Sequence, residues 1–154
     1  MAGEIEARLK ALNIALPEVA SPVANYVPFL HINGFLYVSG QLPMRDGKVA
    51  VTGQLGRDLD IENGMEAAEI CLLNVLAQAK NALGDLDTIA KAVRLTGFVI
   101  SPADFADHPK VINGASDLLV EVLGDKGRHT RAAVGASSLP LGAAVEVDAI
   151  FAID

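Results

Sequence analysis

The chain contains no tryptophan and only 5% aromatic residues, so its core has to be built from alanine, valine, leucine, isoleucine and glycine. Small aliphatic side chains of this kind let neighbouring elements approach closely. A single cysteine, Cys71, excludes an internal disulfide and any thiolate-rich metal centre made within one chain. Its place in an apolar run fits core packing and a reducing compartment. The three histidines, His31, His108 and His129, are scattered, and each taken singly reads as a surface or loop residue. Neither a metal nor a redox cofactor is expected from this set.

Basic residues are in the minority as well. With 12 Lys and Arg against 19 Asp and Glu, the formal charge is -7, which repels phosphate backbones and anionic headgroups. No run approaches the roughly 20 apolar residues that span a bilayer. The opening MAGEIEARLKAL mixes acids with bases instead of forming the apolar heart of a secretory signal. Nucleic acid and membrane are therefore not expected partners, and a cytoplasmic location is expected. Generic catalytic motifs are missing too, with no Walker loop, GxGxxG, HExxH or GxSxG in the chain.

What is present is a chain of 154 residues with 51% hydrophobic content, enough for one domain with a substantial core. So high an apolar fraction in so short a chain also leaves surface to cover, which favours oligomers. The opening helix ends before Pro17, Ser21 and Pro22 and reads as an addition, residues 1–20, to a domain spanning 21–154. Tyr26 to Leu30 and Phe35 to Ser39 flank Asn33-Gly34, the signature of a β-hairpin turn. A charged excursion from Met44 to Gly56, with a turn at Asp46-Gly47, precedes a helix capped by Asp60 and stopped by Gly84. Along that helix Ala68, Leu72, Val75, Ala79 and Leu83 repeat at helical spacing.

Ala92 to Ile100 predicts a strand of mixed periodicity. A second helix follows, with Asp107 as its cap, Pro109 in its first turn and an apolar stripe ending before Gly124. Strands from Arg131 to Ala136 and from Ala144 to Ile153 complete the chain, joined by SSLPLG. Hairpins and helices are grouped and do not alternate strictly. The fold class expected is therefore α+β, with helices on one face of a mixed sheet.

Only isolated polar residues offer chemistry. Arg131 opens an apolar strand, where its planar fork can grip a carboxylate, end in a structural ion pair or lie in solvent. Glu146 and Asp148 alternate with Val145 and Val147, so the acids share the opposite strand face. Asn113 is a polar side chain in an apolar helix, a surface residue or a hydrogen-bonding one.

Taken together, YVSGQLP (Ser39, Gly40, Gln41, Leu42, Pro43), Asn74-Val75, and the spacing of Arg131, Pro140 and Glu146 resemble the signatures of the RidA/YjgF/YER057c/UK114 family. The similarity runs from about Asn25 to the last residue. The resemblance implies a chorismate mutase-like fold of the bacillary type, with two long helices on one face of a mixed sheet. It also implies a homotrimeric barrel whose pockets lie at subunit interfaces. For the deaminase branch it implies hydrolysis of 2-imino or 2-enamino acids to 2-keto acids and ammonia, without metal or cofactor.

In that reading the arginine matching Arg131 binds the substrate carboxylate and the glutamate matching Glu146 positions water. Gly40 would lend a backbone N–H, Ser39 and Asn113 would line the cleft, and Tyr26 would shape the side-chain pocket. Ala133 stands where deaminases of the family commonly carry cysteine, so only a backbone contribution is expected there. A non-catalytic module that binds keto acids is the alternative, and ribonuclease activity fits the acidic charge poorly.

Overall fold

In the computed structural model, which describes residues 3–19 and 24–154, the expected order of elements is realised with one small hairpin added. Helix α1 (Glu4–Ala11) comes first, then strands β1 (Phe29–Ile32) and β2 (Phe35–Gln41). Asn33 and Gly34 turn between the two strands with φ of 50° and 80°, the left-handed conformation that the Asn-Gly pair predicts. The excursion contains β3 (Met44–Arg45) and β4 (Lys48–Val49), paired across Asp46-Gly47. Ser21 and Pro22, part of the predicted break after α1, lie outside the described residues.

Helix α2 (Ile61–Leu83) begins with a capping box. The Asp60 carboxylate accepts from the Asn63 N–H at 2.8 Å, and the Asn63 side chain accepts from the Asp60 N–H at 3.2 Å. It ends at Gly84, with φ of 75°. Ala68, Leu72, Val75 and Ala79 are fully buried, as their spacing predicts. Cys71 packs among them, and burial pushes its thiol well above the usual range.

Helix α3 (His108–Leu123) carries Pro109 in its first turn, but Asp107 does not cap it through its side chain. With ψ near 26°, Asp107 is not extended, and its carboxylate pairs instead with Lys110 at 3.2 Å. Two glycines let α3 settle deeply. A side chain at Gly97 would meet Ile112 at 2.4 Å, and one at Gly114 would meet the Met65 backbone at 2.3 Å. Both approaches fix the height of Asn113 above the sheet.

The main sheet comprises β1, β2, β5 (Ile89–Ile100), β6 (Thr130–Ala136) and β7 (Val145–Ile153), in the order β1-β2-β7-β5-β6. Only β5 and β6 run parallel, joined by α3, so the sheet is mixed and the fold α+β as expected. Strand β5 starts at Ile89, earlier than its apolar pattern suggests. Two register irregularities against β7, at Ile89/Lys91 and Ala92/Arg94, account for its mixed periodicity.

Helices α2 and α3 cover one face of this sheet. Leu36, Val38, Leu95, Val99, Val145, Val147 and Phe151 are buried beneath them. The other face is open. Leu30, Ile32, Phe35, Tyr37 and Val134 stand there 40–51% exposed.

Helix α1 is fastened to this body, with Ile5 and Leu9 buried in the common core. The Asp87 carboxylate accepts from the N–H groups of Glu4 and Ile5 at 2.8 and 2.9 Å, capping α1 from far along the chain. Those backbone bonds, that to Ile5 foremost, hold the Asp87 carboxyl below its usual range. Among the described residues no helix is long and apolar enough to cross a membrane.

Candidate functional site

Arg131 sits one residue into β6, the edge strand next to β5, and its side chain turns toward α3. Three acceptors hold the guanidinium. Nη1 donates to Asn113 Oδ1 at 2.8 Å and to Ser116 Oγ at 3.1 Å, and Nη2 donates to the Pro109 carbonyl at 3.3 Å. None of these groups is charged, and among the described residues no carboxylate pairs with Arg131. The guanidinium is thus aimed while its charge is left without a counter-ion. Ala133, two residues along and opposite Gly97 in the register, lies on the same strand face and packs against the core.

Glu146 belongs to a different neighbourhood. It lies on the open face of β7, while Val145 and Val147 on either side are fully buried. Burial foremost, and then the negative charge of Asp148, raise its carboxyl above the ordinary glutamate range. Asp148 is raised in the same way by burial, partly offset by a hydrogen bond from Thr96 and by Arg94.

The Glu146 side chain folds over Gly40, where a side chain at position 40 would lie 2.9 Å from Glu146 Oε1. Gly40 occupies the irregular stretch of β2 between Val38 and Gln41, where pairing with β7 slips. Ser39, next to it, donates from Oγ to the Val27 carbonyl at 2.7 Å, which ties the segment carrying the 56% exposed Tyr26 to this end of the strand.

The seven predicted residues therefore form two groups. Arg131, Asn113 and Ala133 lie toward the helices at the β6 edge, whereas Glu146, Gly40, Ser39 and Tyr26 gather around β2 and β7. Within one chain the two groups do not converge. A cavity of about 670 Å³ between residues 15–19, the β3–β4 hairpin and α2 contains none of the seven.

Two further residues attach to the Arg131 group. His129 Nε2 lies 2.9 Å from Ser116 Oγ, and its Nδ1 faces the Gly127 carbonyl. A second Ser–His pair, Ser101 and His108 at 3.0 Å, closes the far end of β5, where Phe105 stands edge-on to the His108 ring. Reading the histidines as loose loop residues missed both pairs. The available signal was the spacing of Pro109, Asn113 and Ser116, which places all three on one stripe of α3. Asn74, by contrast, is structural: its Nδ2 donates to the Met44 and Ile70 carbonyls at 3.0 and 2.9 Å, holding the chain after β2 against α2.

This fold and these motifs coincide with one family of proteins. Residues 6–152 match the family model described as "YjgF/chorismate mutase-like, putative endoribonuclease", and the chain belongs to that family. It is 48% identical over 149 residues to Protein TCP17 of Trypanosoma cruzi, covering 96% of this chain and 93% of that one. Among solved structures it is similar to the protein Atu1372 of Agrobacterium tumefaciens, of unknown function. The two share 55% identity and a TM-score of 0.91, with 97% of this chain and 93% of that one covered. A Shewanella oneidensis protein described as "a putative endoribonuclease" shares 37% identity and a TM-score of 0.94, covering 98% and 100% of the two chains.

Proposed function

We propose that this protein hydrolyses 2-imino or 2-enamino acids to 2-keto acids and ammonia, as a cytoplasmic homotrimer whose site is shared between neighbouring chains. The observation that carries the reading is Arg131, held by three neutral acceptors and paired with no carboxylate among the described residues. A structural ion pair would have neutralised it; a ligand carboxylate is the natural counter-ion.

The open sheet face supports the assembly. Exposed Leu30, Ile32, Phe35, Tyr37 and Val134 need cover, and a neighbouring chain that supplies it can bring a second sheet rim to the Arg131 edge. In the completed site, Arg131 of one chain faces Glu146, Gly40, Ser39 and Tyr26 of the next. The alternative of a purely keto-acid-binding module has the same Arg131 group and differs only in turnover. Endoribonuclease activity, named in the family description, is disfavoured by the charge of -7.

The chemistry asks little of the protein. Water attacks the electrophilic C2 of the iminium, a C–O bond forms, and the C=N π pair moves onto nitrogen. Glu146 accepts the proton released by the attacking water and passes it to the amine. Expulsion of ammonia from the carbinolamine, with loss of the hydroxyl proton, leaves the 2-keto acid. An enamino acid first takes a proton at C3 to enter the same path. A carboxyl raised by burial holds a proton more readily than an ordinary glutamate, which suits it to accepting and then returning that proton.

The test is an imine-hydrolysis assay over a panel of amino acids oxidised in situ, comparing wild type with Glu146→Gln. Accelerated keto-acid release by wild type, falling about 100-fold or more in the variant, is the expected result. Keto-acid binding without any turnover by wild type would select the binding module instead.

A further inference from the structure

We propose that Ser116 and His129 are positioning residues that fix which edge of the Arg131 guanidinium meets the ligand carboxylate. The proposal rests on the carboxylate-binding reading of Arg131 given above.

The chain of hydrogen bonds has only one consistent polarity for a neutral imidazole. The Gly127 carbonyl can only accept, so the His129 Nδ1 beside it carries the proton. Nε2 is then a bare acceptor, and the Ser116 hydroxyl donates to it across 2.9 Å. With its one proton committed, Ser116 Oγ offers only lone pairs to its other neighbour, Arg131 Nη1, at 3.1 Å. Without His129 the hydroxyl would be free to rotate its proton toward the guanidinium, where it would oppose the arginine N–H.

The geometry at Arg131 turns this polarity into selectivity. Asn113 Oδ1 and Ser116 Oγ use the two hydrogens of Nη1, and the Pro109 carbonyl takes one from Nη2. Among the described residues Nε–H and one Nη2 hydrogen are left without an acceptor, while Nη1 has no hydrogen to spare. A two-point grip therefore falls to the side-on Nε/Nη2 edge, whose spacing fits the two oxygens of a carboxylate. Approach along the end-on Nη1/Nη2 edge is closed. The relay therefore selects a planar carboxylate presented along the Nε/Nη2 edge and holds the arginine still to receive it.

The test is calorimetry with pyruvate beside imine-hydrolysis kinetics, on full-length Ser116→Ala, Ser116→Thr, His129→Leu, His129→Gln and the Ser116→Ala/His129→Leu pair, with Arg131→Ala as reference. Ser116→Ala should weaken pyruvate binding about tenfold, the scale of a hydrogen bond to a charged group. It should raise KM by a similar factor with little change in kcat, because the clamp binds substrate and transition state alike. Ser116→Thr restores the hydroxyl and should bind within about twofold of wild type.

His129→Leu should match Ser116→Ala, and the double variant should be no worse than either single one. His129→Gln, which keeps a side-chain acceptor, should recover part of the loss and carries the same comparison if a smaller variant fails to fold. Wild-type affinity in Ser116→Ala, failed rescue by threonine, or fully additive losses in the pair would each overturn the relay while leaving the clamp intact. Unchanged pyruvate binding by Arg131→Ala would overturn the underlying reading instead.

Discussion

Arg131 and Glu146 project from opposite faces of one sheet: the arginine turns toward α3 and Asn113, while the glutamate stands on the open face beside Gly40. A ligand cannot touch both in the same chain. The division turns the question of oligomeric state into one about chemistry, because a site using both residues has to borrow one from a neighbour.

Subunit complementation follows from this division. Arg131→Ala and Glu146→Gln chains are each expected to be inactive, and both should show a trimeric mass by light scattering. If they are co-refolded in equal amounts, roughly one quarter of the interfaces in a cyclic trimer receive an intact residue from each side, and activity should return to about that fraction of wild type. No recovery from mixed trimers would place both residues in one chain's site, or one of them outside it.

Much of this arrangement was legible in the sequence. Asn33-Gly34, Asp60 and Gly84 are local devices whose residue types dictate the backbone conformation, and each marks its element boundary. The alternation around Glu146 likewise gave its strand face correctly. Asp107 failed as a cap because the same residue type can pair with Lys110 instead, a choice made by backbone geometry that sequence does not display. The bonds from Ser116 to His129 and from Asp87 to the start of α1 depend on how α3 and the chain after α2 pack. No local pattern reports such contacts. The motif resemblance brought Arg131 and Glu146 together as site residues, but their placement on opposite faces emerged only from the sheet register.

Gly40→Ala tests the contact under the glutamate. The added methyl would sit 2.9 Å from Glu146 Oε1, a flexible side chain, so the carboxylate should be displaced while the fold survives. Imine hydrolysis should fall by about tenfold or more, with the thermal midpoint changed by only a few degrees. Retained activity would show that the position of the carboxylate over Gly40 is not needed.

The raised carboxyl of Glu146 gives a signed pH dependence. As a base it works deprotonated, so activity should rise with pH along a limb lying above the ordinary glutamate range, and Glu146→Gln should abolish that limb. Stability moves the other way. A folded-state value above the unfolded one means that the folded chain binds more protons between the two. The contribution of Glu146 is therefore fully present below the unfolded value and is lost as pH rises through the folded one. Denaturant titrations of wild type and Glu146→Gln across the mildly acidic range should differ in that slope, and identical slopes would contradict the burial argument.

The carboxylate clamp is the central claim, and calorimetry with pyruvate and 2-oxobutanoate on wild type, Arg131→Lys and Arg131→Ala tests it most directly. Lysine keeps the charge but presents a point instead of a planar fork, so Arg131→Lys should lose most of the affinity. Arg131→Ala should lose at least as much while staying folded in the wild-type assembly, with a thermal midpoint lowered by only a few degrees, since it gives up three hydrogen bonds but leaves no buried charge unpaired. Keto-acid binding by Arg131→Ala as tight as that of wild type, in a folded protein, would contradict the account.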